Sequence, residues 1–271
     1  MTKIEWTDDT VNPIVGCSKV SPACDNCYAE RMAKRLRGMG LPQYQSVVDA
    51  NGWTGQIGFD WNQLKKLNQG YGKKIFISSM GDLFHDSLAI SDIETVFHAI
   101  VANSQNTYQI LTKRPENMLK IVPIMLERVN NGKPIENLWL GVTAENQTTA
   151  DYRIPFLLGT PAAIRFVSVE PMLSEVDLHL NRRYCPRCGG EEYNNKCLFC
   201  REAHYITSRT AGIDWVIAGP ETGPHKRKCE EDWIEDLQSQ CAEFKVPFFL
   251  KKNADGTPSN IHRFPEVKHV G

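Results

Sequence analysis

Six short apolar runs, each followed by a longer amphipathic or polar stretch, constrain the fold more than any other feature of the chain. They occupy residues 74–80 (KIFISSM), 108–112 (YQILT), 138–143 (LWLGVT), 164–170 (IRFVSVE), 215–219 (WVIAG) and 247–250 (PFFL). Each is nearly continuous in apolar character and rich in Val, Ile or aromatic residues, the signature of parallel strands buried on both faces. Residues 91–103 begin with SDIE, which predicts a capping box in which Ser91 bonds the Glu94 amide, and then place Ile93, Val96, Phe97 and Ile100 on one helical face. Residues 115–129 and 231–244 read as helices in the same way. Strand and helix alternating along one chain predict a parallel α/β architecture, either an open sheet or a barrel. No repeat or linker divides the 271 residues, so a single domain is expected over 1–271.

Polar residues collect just past the runs: Ser79 and Asp82, Lys113 and Arg114, Glu145, Glu170, and Glu221. In β/α folds the carboxyl edge of the sheet is where sites are built, although any one of these residues would serve equally as a loop or cap residue. Lys plus Arg is 31 against 32 for Asp plus Glu, so no global field draws in a polyanion and any such site is local. No stretch has the length or apolarity of a membrane span, and MTKIEWTDD lacks the pattern of a signal peptide, so a cytoplasmic protein is expected.

In a cytoplasmic chain, nine cysteines point to metal ligation more than to disulfides. Cys17, Cys24 and Cys27 stand on a short loop between an extended segment (11–15) and a predicted helix (28–36), whose amide end faces the loop. Three thiols leave one iron of a cluster without a protein ligand, whereas structural zinc takes four. The spacing by itself also admits catalytic zinc with a water, structural zinc borrowing a remote side chain, or free thiols. Cys185, Cys188, Cys197 and Cys200 form two CxxC pairs, which predict a structural Zn²⁺ ribbon or knuckle inserted at 179–209, with an auxiliary iron–sulfur cluster as the competing reading. Arg182, Arg183, Arg187 and Lys196 on that insertion would suit nucleic acid, or the insertion is a scaffold. Cys229 and Cys241 belong to no motif.

The segments IEWTDDTVNP, GCSKVSPACDNCYAERMAKRL, FISSMGDLFHD, ILTKRPE, LWLGVTAENQ, RFVSVEPML, DWVIAGPETG and VPFFLKK run from residue 3 to about residue 252 and resemble the phage Gp37/Gp68 family of radical S-adenosylmethionine (SAM)-like proteins. The resemblance implies a partial (β/α) barrel of six or seven parallel strands. It also implies a [4Fe-4S] cluster on Cys17, Cys24 and Cys27, whose open iron takes the amino and carboxylate groups of SAM. Reduction then splits SAM into methionine and a 5′-deoxyadenosyl radical. Six residues separate the first two cysteines here, where three are commonest, and the aromatic usual before the third cysteine is displaced to Tyr28. Tyr28 would pack on the adenine or the cluster, or simply cap the core.

By position in the implied barrel, Ser79 and Asp82 would bind the methionyl amine, Glu145 the ribose, Ser168 and Glu170 the next strand's share of SAM, and Gly219 and Glu221 the adenine. Lys113 and Arg114 would bind a substrate carboxylate or phosphate, or pair with the acids just named. Two further basic groups, Arg31, Lys34, Arg35 and Arg37, and the run from His225 to Lys228, would face a phosphate-bearing substrate or be solvated. The expected activity is hydrogen-atom abstraction fed by a flavodoxin- or ferredoxin-type electron donor. The phage association suggests DNA, with an isomerase- or mutase-like rearrangement of an amino-acid group on a hypermodified thymine, while a free nucleotide or amino acid stays open. The competing class is a non-catalytic zinc-ribbon protein that binds nucleic acid on a barrel scaffold. A metal-dependent hydrolase is disfavoured because His85 is the one histidine close to a strand end.

Overall fold

The computed structural model describes residues 4–180, 192–193, 196–197 and 212–266. Seven strands lie side by side in chain order: β1 (Asp9–Val11), β2 (Lys74–Ile77), β3 (Thr107–Thr112), β4 (Leu138–Thr143), β5 (Ile164–Val169), β6 (Trp215–Ala218) and β7 (Phe248–Leu250). All neighbouring pairs are parallel, and the sheet curls into a half-barrel. Each parallel pair needs a crossover. Helices α1 (Tyr28–Gly38), α2 (Ile90–Val101), α3 (Pro115–Asn130) and α4 (Gln147–Gly159) supply those after β1 to β4, and α5 (Glu231–Glu243) the one after β6. The expected architecture is present, with one addition: β1 is only three residues long, and the adjoining Ile14–Val15 leaves the sheet to pair antiparallel with Gly58–Phe59.

The two-residue period of a strand sorts the side chains between two cores. Ile75, Ile110, Leu140, Val167 and Val216 meet the apolar faces of the helices, including Phe97, Met125, Leu157 and Leu237. Their neighbours Phe76, Trp139, Phe166, Trp215, Ile217 and Phe249 fill the concave face with Trp6. Trp215 touches Trp139 edge-on at 5.7 Å and Phe166 at 5.6 Å. Gly141 makes room for this floor, since a β-carbon there would stand 2.5 Å from the Phe166 ring. Beyond the aromatic floor the same face turns polar, with Thr143 and Ser168 at the next inward positions. The free edge of β7 is covered by the C-terminal segment, where the Leu250 amide bonds the Ile261 carbonyl at 2.8 Å and the Arg263 amide bonds that of Phe248 at 3.1 Å.

The capping box expected at Ser91 does not form. The N-cap of helix α2 is Ala89, two residues earlier, so Ser91 sits inside the helix and its carbonyl accepts from Thr95 Oγ1 at 2.8 Å. A capping box does form at the start of α4, between Asn146 and Thr149. No helix among the described residues is long and apolar enough to cross a membrane.

Candidate functional site

The cysteine loop lies over the carboxyl ends of the strands because Gly16 and Gly81 form a parallel bridge that ties its start to the turn after β2. Gly16 has φ of 98°, and a β-carbon there would stand 2.3 Å from the Gln56 carbonyl, so only glycine fits. Cys17, Cys24 and Cys27 are free thiols, each half-buried. Burial pushes the Cys17 thiol up to about 11, Asp82 adds to the rise and Arg114 opposes it. Cys27 is the N-cap of α1, so the loop ends at that helix's amide end. Among the described residues, no three His, Cys, Asp or Glu side chains close on a point that a single ion would fill.

Two arginine–carboxylate clamps hold the loop. At its first end Arg114, 5% exposed, pairs with Asp82 at 3.1 Å and donates to Ser18 Oγ at 2.7 Å, to the Ser18 carbonyl at 3.2 Å and to Cys17 Sγ at 3.7 Å. Asp82 is itself saturated: Thr112 Oγ1 bonds its two oxygens at 2.7 and 2.9 Å, and the amides of Phe84 and Lys113 add two more donors. His85 Nδ1 accepts the Ser87 amide, which leaves the ring proton on Nε2, 2.9 Å from Ser18 Oγ.

At the other end Glu221 accepts from Asn26 Nδ2 at 3.0 Å and from the Arg227 amide and Nε at 2.8 and 2.9 Å, and a further Arg227 nitrogen closes the pair. Arg227 also reaches the Pro22 carbonyl at 2.9 Å, and Arg31 reaches that of Thr222 at 3.3 Å. Burial favours the neutral Glu221 carboxyl, but the hydrogen bonds from Arg227 override it and hold the group below the usual carboxylate range.

The wall between the clamps carries buried oxygens that the protein leaves unmatched. Glu145 is fully buried at the end of β4; Oε2 accepts from Arg153 Nη1 at 2.8 Å, whereas Oε1 has no partner. Burial would lift its carboxyl, and the Arg153 guanidinium, with the Ser21 hydroxyl and Lys113 adding to it, holds it below the ordinary range. Thr143 Oγ1 and Ser78 Oγ are likewise buried without partners. Such groups cost stability unless something bonds them. All three stand at strand ends, and hydroxyl or ammonium groups of a ligand are the donors they lack. The donor set, three free thiols beside unmatched acceptors, fits an iron–sulfur cluster with a polar cosubstrate.

The residues expected to bind that cosubstrate are not equally available. Ser168 is buried in the wall, and Gly219 is buried as well, its amide bonded to the Val169 carbonyl at 3.2 Å and its carbonyl to the Met172 amide at 2.9 Å, beside Lys251 and Glu170, whose side chains bond at 2.5 Å. Ser79 Oγ donates to Asn12 at 3.0 Å, and its carbonyl accepts the hydroxyl of the exposed Tyr28 at 2.9 Å. Asp82 and Glu221 have their carboxylates occupied inside the protein. Arg114 pairs with an acid, the second of its two expected roles, while Lys113 stays half-buried beside it. In the basic run after β6, Arg227 is spent on Glu221 and Lys228 pairs with Glu230 at 2.8 Å, which leaves His225 and Lys226 exposed. Ser18, Asn26, Arg153 and Lys251 went unforeseen; Lys251 alone carried a signal, since it directly follows an apolar run.

Of the expected zinc ribbon, Cys185, Cys188 and Cys200 lie outside the described residues, as do Arg182, Arg183 and Arg187. Cys197 and Lys196 are described as backbone alone, in a two-residue strand antiparallel to Glu192–Tyr193.

Fold and site together define an α/β half-barrel protein with a three-thiol loop clamped over the carboxyl mouth of its sheet. Across residues 1–268 the chain matches the family described as "Protein of unknown function (DUF5131)", and it belongs to that family. No curated protein matches it, and no solved structure does.

Proposed function

We propose that this protein is a radical SAM enzyme, with Cys17, Cys24 and Cys27 as ligands of one [4Fe-4S] cluster. The observation that carries the reading is the position of three unpaired thiols on one loop above unmatched buried oxygens at the strand ends. The resemblance of the cysteine loop and strand-end segments to the phage radical SAM-like proteins supports it. When bound, a cluster held by Cys17, Cys24 and Cys27 would supply one-electron reductive chemistry to the sulfonium of SAM.

The chain's own residues do the rest. Glu145 Oε1, Thr143 Oγ1 and Ser78 Oγ accept from, or in the hydroxyls' case also donate to, the cosubstrate, with Ser168, Gly219 and Tyr28 lining the same mouth. Asp82 and Glu221 hold the loop in place through Arg114 and Arg227. Lys113 and the Glu170–Lys251 pair remain to orient a charged substrate. Aromatic packing beneath the wall closes it to water from below, which protects a reactive radical. The substrate class we favour is a hypermodified thymine base of phage DNA, rearranged in an isomerase-like step, with the CxxC pairs binding structural zinc.

The test is anaerobic reconstitution followed by dithionite and SAM. The expected product is 5′-deoxyadenosine, abolished in Cys24→Ala and retained in Cys197→Ala, whose defect is in stability. A wild-type protein that takes up iron yet yields none overturns the reading, as does full SAM cleavage by Cys24→Ala. Product analysis on phage-modified DNA and on free nucleosides then assigns the acceptor.

A further inference from the structure

We propose that Arg114 is a positioning residue that fixes Cys17 and raises the electron affinity of the cluster which Cys17 ligates. The inference rests on the cluster reading above. Arg114 Nη1 lies 3.7 Å from Cys17 Sγ, while Nη2 is anchored on Ser18 at 2.7 Å (Oγ) and 3.2 Å (carbonyl). The planar fork thus grips the residue after the cysteine and directs an N–H at the sulfur, a geometry that a lysine's point charge does not reproduce.

The guanidinium is 5% exposed, so water screens its charge little. Its place is set by the sheet: Asp82 pairs with it at 3.1 Å and is in turn held by Thr112 of β3 at 2.7 and 2.9 Å. Asp86 offers a further, exposed partner for Nε at 3.4 Å. The three thiols are therefore inequivalent. Cys24 meets a neutral group instead, the Ser21 hydroxyl at 3.9 Å.

A cluster gains one negative charge on reduction. Hydrogen bonds to its sulfurs and nearby positive charge favour the reduced form and raise the potential. Asp82 opposes this by partly neutralising the guanidinium, so the two residues act on the potential with opposite signs although both stabilise the same loop.

The experiment is an EPR-monitored redox titration, with dithionite as reductant, of protein reconstituted anaerobically with ferrous iron and sulfide. Wild type, Arg114→Gln, Arg114→Lys and Asp82→Asn are compared, with iron content and Tm recorded for each. In Arg114→Gln the reduced-to-oxidised ratio at a fixed solution potential falls roughly tenfold, equivalent to about 59 mV for a one-electron couple. Arg114→Lys keeps the charge without the fork and recovers part of the shift. Asp82→Asn moves the potential the other way. If Arg114→Gln retains no iron, the Lys and Asn variants carry the comparison. A purely structural role lowers Tm and loading in all variants but leaves loaded clusters at the wild-type potential, and that result overturns the proposal; so do shifts of the same sign in Arg114→Gln and Asp82→Asn. Failure of the wild type to assemble a four-iron cluster is a separate outcome, which removes the reading of the cysteine loop and this inference with it.

Discussion

Replacing Arg153 with Met strips the directly paired cation from a carboxylate that has no access to water. Glu145 is fully buried and Arg153 is 3% exposed, with 2.8 Å between Nη1 and Oε2. Removing one partner of such a pair leaves an uncompensated charge and costs about 3–5 kcal/mol. Arg153 Nη1 also donates to the Thr143 carbonyl at 2.8 Å, so the substitution frees a second acceptor in the same wall. Urea unfolding of the metal-free protein near neutral pH measures the loss. Arg153→Met combined with Glu145→Gln removes the charge as well as its partner and is expected to recover about half of the loss or more.

The pH dependence gives the sign. In the wild type the depressed Glu145 carboxyl contributes stability above its unfolded value, lost as pH falls through the lower folded one. In Arg153→Met burial loses its largest opponent, with the Ser21 hydroxyl and Lys113 left as the lesser ones, and lifts the carboxyl, so the deficit grows as pH rises through the raised value and shrinks on acidification. A loss under about 1 kcal/mol with no pH dependence would refute the reasoning, because burial of an unpaired carboxylate cannot be that cheap.

Three further outcomes are expected. Burial lowers the His85 imidazole, with Arg114 adding to the effect, so its neutral form supports the fold above the ordinary histidine value, and that support is lost as pH falls through the lowered folded value. The urea midpoint of His85→Gln loses a slope of about one proton there, and an unchanged slope counts against the Ser18 contact. Gly141→Ala drives a β-carbon to 2.5 Å from Phe166 and costs about 1–3 kcal/mol by thermal unfolding, partly relieved by Phe166→Leu; no loss of Tm contradicts the packing of the floor. Arg227→Gln, at a side chain 34% exposed, costs about 1 kcal/mol or less globally but speeds amide exchange across residues 22–27, and unchanged exchange there contradicts the second clamp.

The strand positions were legible because parallel strands buried on both faces have to be apolar throughout, and the runs at 138–143 and 164–170 show it almost to the residue. β1 escaped notice: its sequence DTV is short and polar at its start, and it forms an edge strand whose pairing with β2 carries it. Ser91 misled because a local cap signal competes with the chance to extend a helix by two residues. The mouth was legible as a position, since polar residues at strand ends mark it, but roles within it were not. Asp82 and Arg114 are 32 residues apart, and Asn26 and Glu221 are 195 apart. Nothing in local spacing tells whether a carboxylate at a strand end meets a ligand or an arginine from the next loop.

The most direct test of the three-thiol site is Mössbauer spectroscopy of protein reconstituted anaerobically with ⁵⁷Fe. The account predicts a four-iron cubane in which one iron changes its spectrum when SAM is added, because that iron alone lacks a cysteine. A spectrum with no cubane, or one whose four irons ignore SAM, contradicts it.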